Sequence, residues 1–166
     1  PIEYALSRVG MTPLADVRAL ARLWLDVRRL RLDATFTYFI KPVIYGNFAA
    51  RLAGVRRRFS IVEGAGYVFI DEEHESWPRR LLRELVLRLY RLGLKGVERV
   101  FFLNREDLKQ FVDHGLASPE CCVMIGGIGV DLTHFSPAPV VERPITFVLI
   151  ARLLAEKGVR EFVAAA

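Results

Sequence analysis

Reactive and metal-binding residues are scarce in this sequence of 166 residues, which has two cysteines and three histidines. Cys121 and Cys122 are adjacent, and neighbours in one strand point to opposite faces, which disfavours both a disulfide and a metal site. The histidines show no metal-ligand spacing, and the sequence has no Ser/His/Asp signature, Walker loop or basic-aromatic pattern of an RNA-binding sheet. We therefore expect no metal, no other cofactor and no nucleic-acid partner.

Long apolar runs are also lacking, because no stretch is long enough to span a bilayer and no secretory leader pattern is visible. The composition, 52% hydrophobic and 26% charged, is typical of a folded domain with a sizeable core. The net charge of +5 suits an anionic partner such as a nucleotide sugar, a lipid phosphate or a membrane face, or simply a solvated surface. We expect a cytoplasmic protein, with peripheral contact at the inner face of the membrane left open.

Hydrophobic periodicity predicts alternating helices and strands. Strand, helix and strand joined by short links indicate right-handed units in a parallel sheet, so the fold class is α/β. Ligands of such sheets bind at the carboxyl ends of the strands, which makes the loops after Ile40 and Glu63 candidate sites. The predicted strands span 34–40, 59–63, 99–103, 121–125 and 145–150, and the first of them is expected to be buried. The predicted helices span 13–31, 42–53, 78–94 and 105–114, with another starting at Lys157. Asn104, with Asp107 three residues later, is expected to cap the helix at 105–114, and Gly115 to end it.

A glycine-rich turn, GGIGVD, follows the fourth predicted strand at residues 126–131. Gly127 and Gly129 allow positive φ angles and a close approach of other groups, so the turn could form the floor of a cleft or be purely structural. It does not match the dinucleotide-binding fingerprint, because no helix opens directly after it. A proline-punctuated connector then leads to the apolar stretch 145–150.

Arg152 and Lys157 follow the end of that stretch and flank the start of the next predicted helix. Helix N–H groups favour an anion, and an Arg and a Lys could hold a diphosphate, one by two hydrogen bonds and the other as a point charge. Such contacts strengthen in a transition state in which charge grows on the diphosphate. Alternatively, both residues are ordinary surface charges at a junction between strand and helix.

The order of these motifs resembles retaining GT-B glycosyltransferases of family 4. The matching parts are GxGVDxxxF at 127–135, the proline-rich connector, the apolar stretch, and ARLxxEKG at 151–158. KPVIYGNFAARLAGV at 41–55 and GAGYVF at 64–69 further resemble the subgroup that extends lipid-linked oligosaccharides. The chain begins without Met and ends within a helical pattern, so we expect a fragment of such an enzyme.

This resemblance implies a GT-B fold with Rossmann-like parallel sheets and helices on both faces. Residues 1–135 would be the latter part of the N-terminal acceptor domain, 136–144 the linker, and 145–166 the start of the nucleotide-sugar domain. The implied reaction transfers a sugar from a nucleotide sugar, expected to be UDP-linked, to a saccharide or lipid-linked glycan with retention of configuration. Such chemistry serves the synthesis of bacterial envelope or surface polysaccharides.

The resemblance also assigns roles to residues. Arg152 and Lys157 would be catalytic and would bind the donor diphosphate, with Gly127 and Gly129 beside the donor. The family's glutamate pair on a later helix is missing, so little or no activity is expected from this fragment alone. Four residues are expected in the cleft near the acceptor: Glu63, Gly64, Gly66 and Tyr67.

Two other functions remain open from the sequence. A GT-B relative with another reaction, such as a sugar-nucleotide epimerase or a phosphorylase, would share the cleft. A non-enzymatic alternative is a basic membrane-surface or protein-binding module, because the helix from Pro78 is rich in arginine and basic residues attract anionic lipid. The same helix could instead pack a leucine stripe on the sheet and leave its arginines in water. The predicted stripe comprises Leu82, Leu85, Leu89 and Leu92.

Overall fold

The computed structural model describes residues 13–64, 69, 76–137, 144–154 and 157–166. It has two compact units, Pro1–Gly129 and Val130–Ala166. The division falls inside the glycine-rich turn. Residues 138–143, which belong to the predicted linker, lie outside the described residues. The predicted domain limits therefore stay predictions. Among the described residues, the helices and strands are α1 (Pro13–Leu30), β1 (Ala34–Tyr38), α2 (Asn47–Leu52), β2 (Arg57–Val62), α3 (Trp77–Leu94), β3 (Arg99–Phe102), α4 (Arg105–Asp113), β4 (Cys122–Met124) and α5 (Val159–Ala165).

The four strands of the first unit form a parallel sheet in the order β1-β2-β3-β4. Thr37 lies opposite Ser60 and Ser60 opposite Val100, so side chains of adjacent strands stand in rows across the sheet. Each strand lies beside the one that precedes it in the chain, so the strands follow the chain order across the sheet. Right-handed crossovers then bring the connecting helices to the same face. The predicted α/β fold with a Rossmann-like parallel sheet is confirmed.

The main core lies between the helices and that face of the sheet. The rings of Tyr90 and Phe111 meet edge-on with centroids 5.1 Å apart, and those of Phe102 and Phe111 meet similarly at 5.3 Å. All three rings are fully buried, so they contribute both apolar area and the favoured perpendicular geometry of aromatic pairs. A smaller cluster of Val27, Ala50 and Val55 joins α1 to α2 and the turn that follows α2.

Polar groups are buried where the chain passes from β1 to α2. The connection includes a π-helical turn, Pro42–Gly46, that continues directly into α2. The Asn47 amide nitrogen donates to the Val43 carbonyl at 2.8 Å and lies 2.7 Å from the Ser60 hydroxyl oxygen. The Ser60 hydroxyl also pairs with that of Thr37 at 2.9 Å. This network ties the turn to two neighbouring strands.

The N-terminus of α4 confirms a capping prediction made from the sequence. The Asn104 carboxamide oxygen accepts a hydrogen bond from the Asp107 backbone N–H at 2.7 Å, and its amide nitrogen donates to the Asp107 carboxylate at 2.8 Å. Asn104 therefore satisfies one of the N–H groups that a helix start leaves without a partner. Gly115, predicted to stop this helix, has a φ of 61° just beyond its end.

The predicted apolar stripe of α3 is largely wrong, because only Leu89 of its four leucines packs against the core. Leu82, Leu85 and Leu92 are 41 to 47% exposed. The helix turns a different face to the core because Gly93 lets it approach the backbone of Ile44, where an added Cβ would lie 3.1 Å from both the Cα and the carbonyl oxygen. The buried residues of α3 are Val86, Leu87, Tyr90, Gly93 and Leu94.

Two strand predictions also fail, one completely and the other in part. Residues 145–150 form no strand, and Ile145 and Ile150 are 88 and 93% exposed. A strand needs a neighbouring strand to satisfy its N–H and C=O groups, and the described residues of the second unit contain none. The first strand was expected to be buried and to reach Ile40, but β1 ends at Tyr38 and exposes Phe36.

Candidate functional site

The carboxyl ends of the parallel strands bring several loops to one edge of the sheet, where ligands of open α/β folds bind. Glu63 and Gly64, two of the predicted acceptor residues, are half-buried directly after β2, and Gly64 has a φ of 148°. The structure therefore places both at the predicted edge. Gly66 and Tyr67 lie outside the described residues. Contact of any of the four with an acceptor stays a prediction.

The loop after β1 contains an ion pair that sequence reasoning missed. Lys41 Nζ lies 3.1 Å from Asp16 Oδ1, and the Tyr45 hydroxyl donates to Asp16 Oδ2 at 3.3 Å. Burial, and then the charge of Asp16, raise the pKa of Tyr45, so this hydroxyl remains a donor at neutral pH. Lys41 and Tyr45 belong to the KPVIYG segment that the sequence singled out. Asp16 comes from α1, and no local pattern could have paired it with them.

Two exposed aromatic rings stand at the end of β1. The ring centroids of Tyr38 and Phe39 lie 4.1 Å apart with 28° between their planes. Phe39 has a φ of 71°, which is uncommon for any residue other than glycine and most unusual for a bulky one. No signal in the sequence predicts this conformation, because aromatic residues favour the extended backbone of a strand.

The glycine-rich turn adopts the conformations that its composition predicted. Gly126, Gly127 and Gly129 have φ angles of 67°, 126° and 83°. Among the described residues, no atom lies within 4 Å of a Cβ added to any of them. Backbone conformation rather than crowding therefore requires glycine here. The role of Gly127 and Gly129 beside a donor remains a prediction.

Asp131, the last residue of this turn, organises the start of the second unit. Its carboxylate accepts hydrogen bonds from the Thr133 hydroxyl at 2.6 Å and the Thr133 backbone N–H at 2.9 Å. These bonds to Thr133, helped by the His134 N–H, hold the pKa of Asp131 below its usual value. The residue is thus an ionised turn former, as is common for aspartate in loops.

Arg152 and Lys157, the predicted diphosphate ligands, are both exposed in the second unit. The Leu154 N–H donates to the Arg152 carbonyl at 2.7 Å, and the Lys157 N–H donates to the Leu154 carbonyl at 3.0 Å. Residues 155 and 156 lie outside the described residues, and α5 begins at Val159, two residues after Lys157. The position of Arg152 and Lys157 with respect to Gly127 and Gly129 stays a prediction.

Nucleophilic and metal chemistry have little support in the described part of the chain. Burial, followed by the effect of Cys121, raises the pKa of Cys122 to about 12, so this thiol stays protonated at neutral pH. Within the described ranges, no three His, Cys, Asp or Glu residues form a group that could hold a metal ion. None of the helices described there is both long enough and apolar enough to cross a bilayer.

The parallel sheet, its crossover helices and the loops at its carboxyl edge are consistent with a Rossmann-like part of a GT-B glycosyltransferase. In sequence, the chain is similar to N,N'-diacetylbacillosaminyl-diphospho-undecaprenol alpha-1,3-N-acetylgalactosaminyltransferase of Campylobacter jejuni. The two are 28% identical over 97% of this chain and 45% of that enzyme, so the chain spans less than half the length of this curated relative. No protein-family model matches the chain. The match confirms the resemblance to glycosyltransferases of lipid-linked glycans that the motifs indicated.

Proposed function

We propose that the protein containing this chain is a glycosyltransferase that acts on a lipid-linked glycan. The observation that carries the proposal is the 28% identity over 97% of the chain to an enzyme whose name states that activity. The parallel sheet is compatible with such an activity. Since the chain spans only 45% of that relative, the activity belongs to the whole protein, and we expect little or none from the 166 residues alone.

The proposed donor is a nucleotide sugar, with UDP as the expected nucleotide. Arg152 and Lys157 would bind its diphosphate, and Gly127 and Gly129 would lie beside it. Exposure of both cationic side chains supports this, because an incoming phosphate can reach them without rearrangement of a core. Their contacts would strengthen as the bond between sugar and phosphate oxygen breaks and charge accumulates on the leaving diphosphate.

The proposed acceptor is a saccharide hydroxyl on a lipid-linked glycan, reached at the edge that carries Glu63, Gly64, Gly66 and Tyr67. The hydroxyl would attack the anomeric carbon from the side that the diphosphate leaves, which retains the configuration. The leaving diphosphate oxygen would take the acceptor proton. This route needs no side chain as general base, so Glu63 would bind the acceptor rather than remove its proton.

Peripheral contact with an anionic membrane at the cytoplasmic face is part of the same proposal. The outer face of α3 exposes Trp77, Leu81 and Leu85 together with basic residues such as Arg88, which is typical of helices at a lipid surface. Arg91 has another function in the fold, because it donates to the carbonyls of His114 and Gly115 at 2.9 and 3.3 Å.

The test is calorimetric titration of UDP, GDP and their sugars into the full-length protein. Arg152→Ala should weaken binding of one nucleotide at least about tenfold, which corresponds to ~1.4 kcal/mol for a lost contact between Arg and phosphate. Arg160→Ala, which removes another exposed arginine of the second unit, is the matched control and should bind like the wild type. A folded protein that binds no nucleotide would exclude the transferase.

Product analysis with the full-length protein separates the transferase from related reactions. Incubation of the nucleotide sugar with a lipid-linked acceptor should release nucleotide and lengthen the glycan. An altered sugar nucleotide formed without any acceptor would instead identify an epimerase.

A further inference from the structure

We propose that Tyr38 and Phe39 form an aromatic platform that binds the sugar ring of the glycan acceptor. The inference rests on the proposed function and adds an acceptor subsite to it. Three observations support it: the stacking of the two rings, the strained backbone that produces it, and its place at the carboxyl edge of the sheet.

The first observation is that the stack depends on an unusual backbone. In an extended strand, neighbouring side chains point to opposite faces, so Tyr38 and Phe39 would ordinarily diverge. The φ of 71° takes Phe39 out of the β region, and its ring then lies 4.1 Å from that of Tyr38. The two rings are 46 and 57% exposed and together offer an apolar surface to solvent.

The second observation is that this arrangement is costly and does not serve the core. Glycine adopts a positive φ without steric cost, whereas a phenylalanine is strained there. Arg31, another non-glycine residue with a positive φ, follows the end of α1, where this conformation is a common helix ending. Phe39 does not follow the end of a helix, so this explanation does not apply to it. A strained ring that this chain leaves largely exposed points to contact with a ligand.

The surrounding structure holds this conformation in place. The Val43 N–H donates to the Phe39 carbonyl at 2.9 Å. Two residues after Phe39, Lys41 binds the nearly buried Asp16 at 3.1 Å, which anchors the loop to α1. The platform is therefore preorganised, and ordering it on binding would cost little conformational entropy.

The third observation is the position of the platform beside a polar group, a combination that suits a sugar ring. Tyr38 lies opposite Ile61 in the sheet, so the loop that starts at Phe39 neighbours the loop that starts at Glu63. A pyranose ring has a face of C–H groups and an edge of hydroxyl groups. Polarised C–H groups are attracted to the negative face of an aromatic ring, while a carboxylate such as Glu63 accepts hydrogen bonds from hydroxyl groups. An apolar face beside a polar group is the usual composition of a small-molecule site.

The experiment uses the full-length protein and two probes, a short-chain prenyl diphosphate that carries one N-acetylated sugar and the same prenyl diphosphate without sugar. Phe39→Gly should weaken binding of the sugar-bearing probe about tenfold, and should leave binding of the sugar-free probe and of nucleotide within twofold. In turnover, the same variant should raise the KM for the acceptor and not that for the donor. Phe39→Tyr, which keeps a ring, should retain the wild-type affinity.

Phe36→Ala is the matched control, since it removes an exposed ring of β1 that packs on Phe101 at 6.1 Å and lies away from the carboxyl end. Its acceptor affinity should be unchanged.

Phe39→Gly should also melt no lower than the wild type, because glycine relieves the strained φ. If Phe39→Gly lost equal affinity for both probes, the rings would bind the lipid and not the sugar. If it melted at a lower temperature and raised the KM for both acceptor and donor, the rings would have a structural role. Either result would overturn the proposed platform, and so would a Phe39→Gly variant of an active transferase with unchanged acceptor affinity.

If the wild-type protein bound no nucleotide, the proposed function itself would be wrong, whatever the behaviour of Phe39→Gly.

Discussion

At the scale of single residues, Asn47 shows how a polar side chain can be necessary inside an apolar core. It is fully buried, and its amide nitrogen lies within hydrogen-bond distance of Val43, Ser60 and Thr37. Burial of an amide is unfavourable unless such partners replace water, and here they do so for the amide nitrogen, whereas Asn47 Oδ1 has no hydrogen-bond partner among the described residues. Asn47 thereby links the π-helical turn to β1 and β2, the two strands whose carboxyl ends carry the candidate acceptor loops.

We predict that Asn47→Ala lowers the free energy of unfolding by about 2 to 3 kcal/mol, because it removes the hydrogen bonds donated by the buried amide nitrogen and leaves a cavity. Asn104→Ala, which removes the exposed cap of α4, is the comparison and should cost about 1 kcal/mol. Urea unfolding followed by circular dichroism measures both. A cost at Asn47 no larger than that at Asn104 would contradict the importance assigned to the buried network.

At the scale of secondary-structure elements, the position of α3 is determined by its closest approach to the turn that follows β1. Gly93 packs against the backbone of Ile44, and Tyr90 enters the aromatic core one turn earlier. This contact rotates the helix so that several leucines of the predicted stripe face outward. The same rotation creates the apolar and basic outer face on which the proposed membrane contact rests.

We predict that Gly93→Ala destabilises the first unit even though alanine favours helix. The added methyl group would meet the backbone of Ile44 at 3.1 Å. Overpacking of this kind costs about 1 to 3 kcal/mol, against a gain in helix propensity of about 1 kcal/mol. Thermal unfolding should therefore show a lower melting temperature for Gly93→Ala than for Leu92→Ala, which truncates an exposed neighbour. A stabilised Gly93→Ala variant would show that the helix can move away from Ile44.

At the scale of the whole molecule, the net charge of +5 and the outer face of α3 favour association with anionic surfaces. Attraction of this kind acts over about one Debye length and weakens as salt is added. Apolar side chains that enter the lipid interface add a contribution that salt does not screen. The two contributions can therefore be separated by experiment.

We predict that the full-length protein binds vesicles containing phosphatidylserine more strongly than neutral vesicles, and that salt reduces the difference. Arg88→Gln should weaken binding about fivefold at low salt, as expected for ~1 kcal/mol per basic residue at the surface. Leu81→Ser should weaken binding at both low and high salt. Arg105→Gln, an exposed arginine at the start of α4, is the matched control and should have no effect in co-sedimentation. Equal losses from Arg88→Gln and Arg105→Gln would show that α3 is not the membrane-binding face.

Local signals in the sequence were enough to predict most elements of the first unit. The positions of β2, β3 and α4 followed from apolar runs, from the Asn104 cap and from Gly115, all of which act within a few residues along the chain. The order of strands and helices then led to a parallel sheet, because short crossovers permit few alternatives. The same reasoning placed Glu63 and Gly64 at the carboxyl edge.

The sequence by itself therefore determined the α/β class, the edge of the sheet at which a ligand is expected, and the motifs that relate the chain to glycosyltransferases. Only the tertiary structure decided which face of α3 is buried, that Asp16 pairs with Lys41, and that Phe39 turns back onto Tyr38. Periodicity states which side chains share a face of a helix, whereas the buried face depends on the shape of the surface opposite, here the backbone of Ile44 at Gly93. For the same reason the apolar residues 145–150 form no strand, because hydrogen bonds to a neighbouring strand, and not composition, complete a sheet.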